Sequence, residues 1–228
     1  MSFIPEVQEC TTRSLIETAV DLVDQKYGSE SRSRLSYHDA THTLEVVNAI
    51  GQISFLALSN GRIDLADIPR LSIAGAFHDV EQGLGSGANE EASADIAVDA
   101  MRETGHFSDE DFDIVHACII GTKVTFEGDV MTQHASSSSI YRVRLLADAD
   151  LVSFGSEYSK YQERALGLFE EIYPTNNREQ NWLQFLNLQV ALLSTHEYNT
   201  EEARVLFTNQ QANLEMVIVE LENTKYKK

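Results

Sequence analysis

Cysteine is nearly absent from this chain of 228 residues: Cys10 and Cys118 stand far apart and in no metal-binding spacing, which excludes a disulfide framework and favours plain reduced thiols. Proline is scarce as well, three against twelve glycines, so few positions break a helix. No apolar stretch approaches the roughly 18 to 20 residues that a membrane-spanning helix requires. The start, MSFIPEVQEC, carries neither the basic segment nor the apolar block of a signal peptide. Both absences predict a cytoplasmic protein with no membrane partner. Positive charge is the remaining shortage: 17 Lys and Arg face 36 Asp and Glu, a formal net charge of −19. Duplex binding relies on basic side chains neutralising phosphates, so nucleic acid is a poor partner. A small phosphorylated ligand would also be repelled unless a metal ion or a local basic cluster reverses the field around it.

What is present is helical. Apolar residues make up 43% of the chain and recur at three- and four-residue intervals. Helices are expected over Val7–Tyr27, Asp39–Leu58, Ile68–Asp79, Asn89–Thr104, Asp109–Lys123, Ile140–Phe154, Glu157–Ile172, Glu179–Ser194 and Glu201–Thr224. Proline in a first turn (Asp67, Ile68, Pro69), a capping box (Ser108, Asp111) and Thr200 before Glu201 and Glu202 mark three of the starts. The length suits one domain, giving an all-α, single-domain reading for residues 1–228. ASSSSI (Ala135–Ile140) reads as a solvated connector with Ser139 as its cap, and EQGLGSGAN (Glu81–Asn89) as a glycine loop. In the last helix Val205, Leu206, Leu214, Val217 and Leu221 fall on roughly one side, a face for the core or for another subunit, with packing on the core the preferred expectation. Oligomeric state is not readable.

Three places carry chemistry. LSYHDATHTLEVV sets His38 and His42 four apart, a spacing that puts both on one helical face, with Leu44, Val47, Ile50 and Ile53 continuing a buried stripe. LSIAGAFHDVE is apolar on most sides, hence buried, and ends in His78-Asp79. There a charged group needs a partner, and a divalent cation is one; alone, His78 would serve as well by capping carbonyls. YRVRLLADADLVSFG interrupts its apolar stripe (Val143, Leu146, Leu151, Phe154) with Asp148 and Asp150, either of which can be an inward acid while the other points to solvent. In chain order, His42, His78-Asp79 and one of these aspartates offer two imidazole nitrogens and two carboxylates, a set suited to Mn²⁺, Fe²⁺, Mg²⁺, Ni²⁺ or Zn²⁺.

This ordered His, His-Asp, Asp pattern on a helical chain resembles the HD-domain superfamily of metal-dependent phosphohydrolases. YHDATHTLEVV is similar to the Tyr-His-Asn-x-x-His element of cyclic-nucleotide phosphodiesterases and of an uncharacterised bacterial branch; FHDVEQGLGSGANEEASADIA and LADADLVSFGSEYSKYQ look like that branch's Asn-Glu-Glu-x-Ser-Ala and Asp-Ala-Asp-Leu segments. The matches span about Ser36–Tyr161, with weaker similarity in EEARVLFTNQQANLEMV. The resemblance implies His42, His78, Asp79 and Asp150 as metal ligands, the last preferred to Asp148 for its Ala149-Asp150-Leu151 context. It further implies His38 as proton donor, Asp79 or Glu90 as proton acceptor from the attacking water, and hydrolysis of a small phosphorylated metabolite of nucleotide type. Arg34, Lys123, Arg142 and Arg144, the basic residues nearest the motifs, are candidates for holding phosphate. His116 is either a cleft residue or a core histidine.

Departures are visible. Gln82 stands where the phosphodiesterases have a further histidine, and Asp39 where they have asparagine, which argues against a cyclic nucleotide. The Glu-Asp pair of alarmone-hydrolysing relatives is missing, with Glu81 one residue early. A non-catalytic, nucleotide-sensing HD module is the alternative from another class.

Overall fold

The computed structural model describes residues 6–85, 87–127, 130–173 and 178–226. Among them the chain forms ten α-helices and one small hairpin. Helix α1 (Glu6–Tyr27) buries Leu15, Ala19, Val23 and Tyr27, a four-residue repeat along one face. Helix α2 (Ala40–Ser59) and helix α3 (Asp67–Phe77) follow. Helix α3 is the centre of the bundle: Leu71, Ile73, Ala74, Ala76 and Phe77 are all fully buried, and α3 contacts α1, α2, α4 (Ala88–Thr104), α5 (Asp109–Gly121) and α6 (Tyr141–Asp150). Each large apolar side chain so buried contributes about 1.5 to 3 kcal/mol of transfer free energy. A Cβ placed at Gly75 would already touch Val46, Ile50 and Leu146 at 3.6 Å, so glycine there lets α2 and α6 lie close against α3. That close approach brings together the ends of the three helices that carry the motifs.

Strands β1 (Val124–Glu127) and β2 (Val130–Gln133) form an antiparallel pair with Val124 opposite Gln133 and Phe126 opposite Met131. Helices α7 (Tyr158–Ile172), α8 (Arg178–Thr195) and α10 (Gln210–Lys225) build a second apolar cluster around Tyr161, Leu186, Leu192, Leu193, Val217 and Leu221. Short α9 (Glu201–Leu206) packs on α2 and α6. No helix among the described residues is long and apolar enough to cross a membrane, and both cysteines are free.

The all-α expectation holds, with the capping box at Ser108 and the Thr200 cap in place. Four local expectations need correction. Leu44 faces outward, and the buried stripe of α2 is His42, Thr43, Val46, Ala49, Ile50, Ile53 and Ala57. The expected Asp109–Lys123 helix stops at Gly121 and gives way to the hairpin. Ser139 caps nothing: Ile140 occupies the N-cap position of α6, and its N–H is taken by Ser138 Oγ. The single C-terminal helix is two, broken where Phe207 turns inward against Tyr198 and the Gly155 backbone, leaving Val205 and Leu206 exposed.

Candidate metal centre

Asp39 caps α2, its side chain accepting from the His42 N–H at 2.9 Å. This places His42 in the first turn with its ring buried. His78 follows the last residue of α3, and its Nδ1–H donates to the Gly75 carbonyl at 2.9 Å. The sequence allows His78 to cap a carbonyl or to face a cation; the ring does the first with Nδ1 and thereby turns Nε2, the lone-pair nitrogen, inward. Asp79 is the next residue, and Asp150 is the last of α6.

The four converge. His42 Nε2 lies 3.4 Å from Asp79 Oδ2 and 3.3 Å from Asp150 Oδ1. His78 Nε2 lies 3.0 Å from Asp79 Oδ2, 3.3 Å from Asp150 Oδ1 and 3.4 Å from His42 Nε2. One ligand atom from each lies within 4.8 Å of every other. A divalent ion at roughly 2.0 to 2.2 Å from its ligands holds neighbouring donor atoms about 3.0 to 3.5 Å apart, so the donor set fits such an ion in type and spacing. The electrostatics say the same. Burial opposes charge on His78, yet Asp79 and Asp150 hold its pKa well above the ordinary histidine value. Burial likewise opposes ionisation of Asp79, which His78 and His38 nonetheless keep well below the carboxylate range. Two carboxylates aimed at two imidazoles demand positive charge between them, which a proton or a cation supplies.

The centre forms the floor of a cleft of about 530 Å³ lined by His38, Gln82, Asn89, Glu90, Thr122 and the hairpin residues Val124, Thr125 and Phe126, as well as Asp79 and Asp150. A larger groove of about 570 Å³ lies among α7, α8 and α10. None of the four convergent residues lines it, so chemistry, not size, picks the cleft.

His38 does reach this cleft, although not by sharing a helical face with His42. It precedes the N-cap, outside α2, and its ring is set by Glu171 of α7, whose Oε1 lies 2.5 Å from Nδ1 while Oε2 accepts the backbone N–H groups of Tyr37 and His38. Burial works against the charge on His38, but Asp79, Glu171 and Asp150 outweigh it and lift the pKa to about 9. The Tyr37 ring packs between the two histidines, its centroid 4.8 Å from each. Glu90 lines the cleft while its Oε2 accepts the N–H of Gly87, the residue preceding α4, at 2.6 Å.

Asp148 lies elsewhere. It does not point to solvent: it is fully buried and accepts four hydrogen bonds, from the N–H and Nδ2 of Asn199 and from the N–H and Oγ1 of Thr200. Two residues apart on a helix means about 200° of rotation, so Asp148 and Asp150 serve different surroundings. The basic candidates fall outside the lining. Arg34 borders a neighbouring hollow with Lys26, Tyr27 and Glu81. Lys123 Nζ lies over Gly87, where an added Cβ would meet it at 2.7 Å. Arg142 is paired with buried Asp67, and Arg144 stacks on Tyr141. His116 is half-exposed beside Glu91, neither in the core nor in the cleft.

Glu171 and the hairpin residues lie outside the sequence motifs, and Gln82 and Asn89, although inside the quoted segments, receive no site role from them. For the hairpin a signal exists: β-branched and aromatic runs, Val124 to Phe126 and Val130 to Thr132, flank Gly128-Asp129. Neither a family model nor a curated protein matches the chain.

Proposed function

We propose that the chain is a metal-dependent phosphohydrolase of HD type that acts on a small phosphorylated metabolite, a nucleotide being the leading class. The observation that supports it most is the convergence of His42, His78, Asp79 and Asp150 at the floor of a cleft whose wall carries His38. The order of those residues along the chain, and the motifs around them, point the same way.

A divalent cation held by the four would polarise a phosphoryl oxygen and make an attacking water more acidic. Everything else falls to side chains. With Nδ1 turned to Glu171, His38 keeps Nε2 for the cleft, and a proton there can pass to the leaving oxygen. General acid catalysis of this kind contributes about 10² to 10⁴ in rate. Glu90, which lines the cleft with one oxygen bound to Gly87, is the carboxylate placed to accept a proton from water or a substrate hydroxyl. No Lys or Arg is among the described residues lining the cleft, so the cation and His38 together must meet the charge of the phosphate. Val124 and Phe126 offer an apolar wall to the remainder of the ligand.

The test is phosphate release from a panel of nucleotides and sugar phosphates with Mn²⁺ or Mg²⁺ supplied. His42→Ala and Asp79→Ala each abolish release while the helical circular dichroism stays intact. His38→Ala lowers turnover and retains metal. Activity kept in both His42→Ala and Asp79→Ala overturns the proposal.

A further inference from the structure

The loop between α3 and α4 contains three glycines, Gly83 (φ 95°), Gly85 (φ 97°) and Gly87 (φ 86°), and all three take a positive φ that other residues rarely adopt. The reversal they permit turns the Leu84 N–H back onto the first turn of α4, where Asn89 Oδ1 accepts it at 2.8 Å. Asn89 Nδ2 then donates to Gln82 Oε1 at 3.1 Å, and Gln82 Nε2 donates to Asp79 Oδ1 at 2.9 Å. The direction of this chain is not a matter of choice. A backbone N–H only donates, so Asn89 must present its oxygen to Leu84 and its amide hydrogens to Gln82. Gln82 must in turn present its oxygen to Asn89 and its hydrogens to Asp79. The backbone of Gln82 is pinned independently, its N–H donating to the Tyr27 hydroxyl at 2.7 Å.

We infer that Asn89 and Gln82 are positioning residues for the metal ligand Asp79. Gln82, oriented by Asn89, binds one carboxylate oxygen, Oδ1, from outside and so leaves Oδ2 as the oxygen facing His42 and His78. The relay rests on the metal reading of the four residues and extends it. It also accounts for glutamine after the His-Asp pair: the side chain donates to a ligand.

Outer partners of metal ligands are generally worth about 10- to 100-fold in metal affinity. Titration of the full-length protein with Mn²⁺ alone, followed by calorimetry, should therefore show Gln82→Ala weakening binding by about tenfold or more. Asn89→Asp separates the relay from simple electrostatics. An added negative charge near a cation site strengthens binding by Coulomb attraction. In the relay, however, the carboxylate introduced by Asn89→Asp still accepts from Leu84 but cannot donate to Gln82, which then turns its hydrogens to that carboxylate and its oxygen to Asp79. Asn89→Asp consequently weakens Mn²⁺ binding, and in a Gln82→Ala background it causes no further loss. Unchanged affinity in Gln82→Ala, or tighter binding in Asn89→Asp, overturns the relay while leaving the metal centre standing. A parent protein that binds no Mn²⁺ removes the metal reading and the relay with it.

Discussion

Asp148 accepts hydrogen bonds that close the chain on itself, whereas Asp150, two residues on, turns toward the two imidazoles. Asp148→Ala leaves buried N–H and hydroxyl donors of Asn199 and Thr200 without an acceptor, a loss of about 2 to 4 kcal/mol. Urea unfolding should register it, with metal binding preserved in the folded fraction. Glu171→Gln probes the other side of the cleft. It keeps one acceptor for the Tyr37 and His38 amides but weakens the hold on the His38 ring, so turnover falls by about 10- to 100-fold while Mn²⁺ affinity is unchanged. A loss of metal in this variant would contradict the separate placement of His38 and the ligands. The contrast shows which part of the site is open to sequence reasoning. His42, His78 and Asp79 are legible because histidine and aspartate at the ends of apolar segments are costly without a partner. Composition alone does not separate Asp148 from Asp150, since both interrupt one helix. Glu171 is invisible in the sequence, its 133-residue separation from His38 being bridged only by the fold.

At the scale of elements, the cleft depends on how α7 lies against the segment before α2. A Cβ on Gly167 would stand 2.3 Å from the Ser36 carbonyl oxygen, so helix and segment touch through backbone. Gly167→Ala forces them apart, an overpacking cost of about 1 to 3 kcal/mol, and shifts the Tyr37–His38 turn relative to Glu171. Thermal unfolding should show the destabilisation, and turnover should fall more than metal affinity. Periodicity locates nearly every helix, because the apolar stripes of α1, α3 and α6 are what bury them. It misses the hairpin, whose strands of four residues carry too few positions to set a period, and the break between α9 and α10, where burial of Phe207 overrides a continuous helical pattern.

For the molecule as a whole, pH acts on stability through His196. Its ring packs among Phe154 and Tyr198, its Nε2 has no hydrogen-bond partner among the described residues, and burial lowers its pKa to about 4. Between that value and the unfolded value near 6.5 the unfolded chain binds a proton that the folded one does not. The His196 effect is therefore absent above pH 6.5 and grows to a loss of about 3 kcal/mol as pH falls toward 4, whereas His38, raised to about 9, acts in the opposite window, its stabilisation fading as pH rises from 6.5 through 9. His196→Phe should flatten the melting temperature over the lower window; an unchanged slope would show that another group titrates there. Ion-paired carboxylates such as Asp111, held below the ordinary range despite burial by Ser108 and Arg70, add their losses only at lower pH.

One cation site joining the ends of α2, α3 and α6 is the central claim. Calorimetric titration with Mn²⁺ of the parent protein beside Asp150→Asn and Asp148→Asn tests it most directly. Binding is expected in the parent and in Asp148→Asn, and its collapse in Asp150→Asn. Binding that survives in Asp150→Asn, or fails in a folded Asp148→Asn, would contradict it.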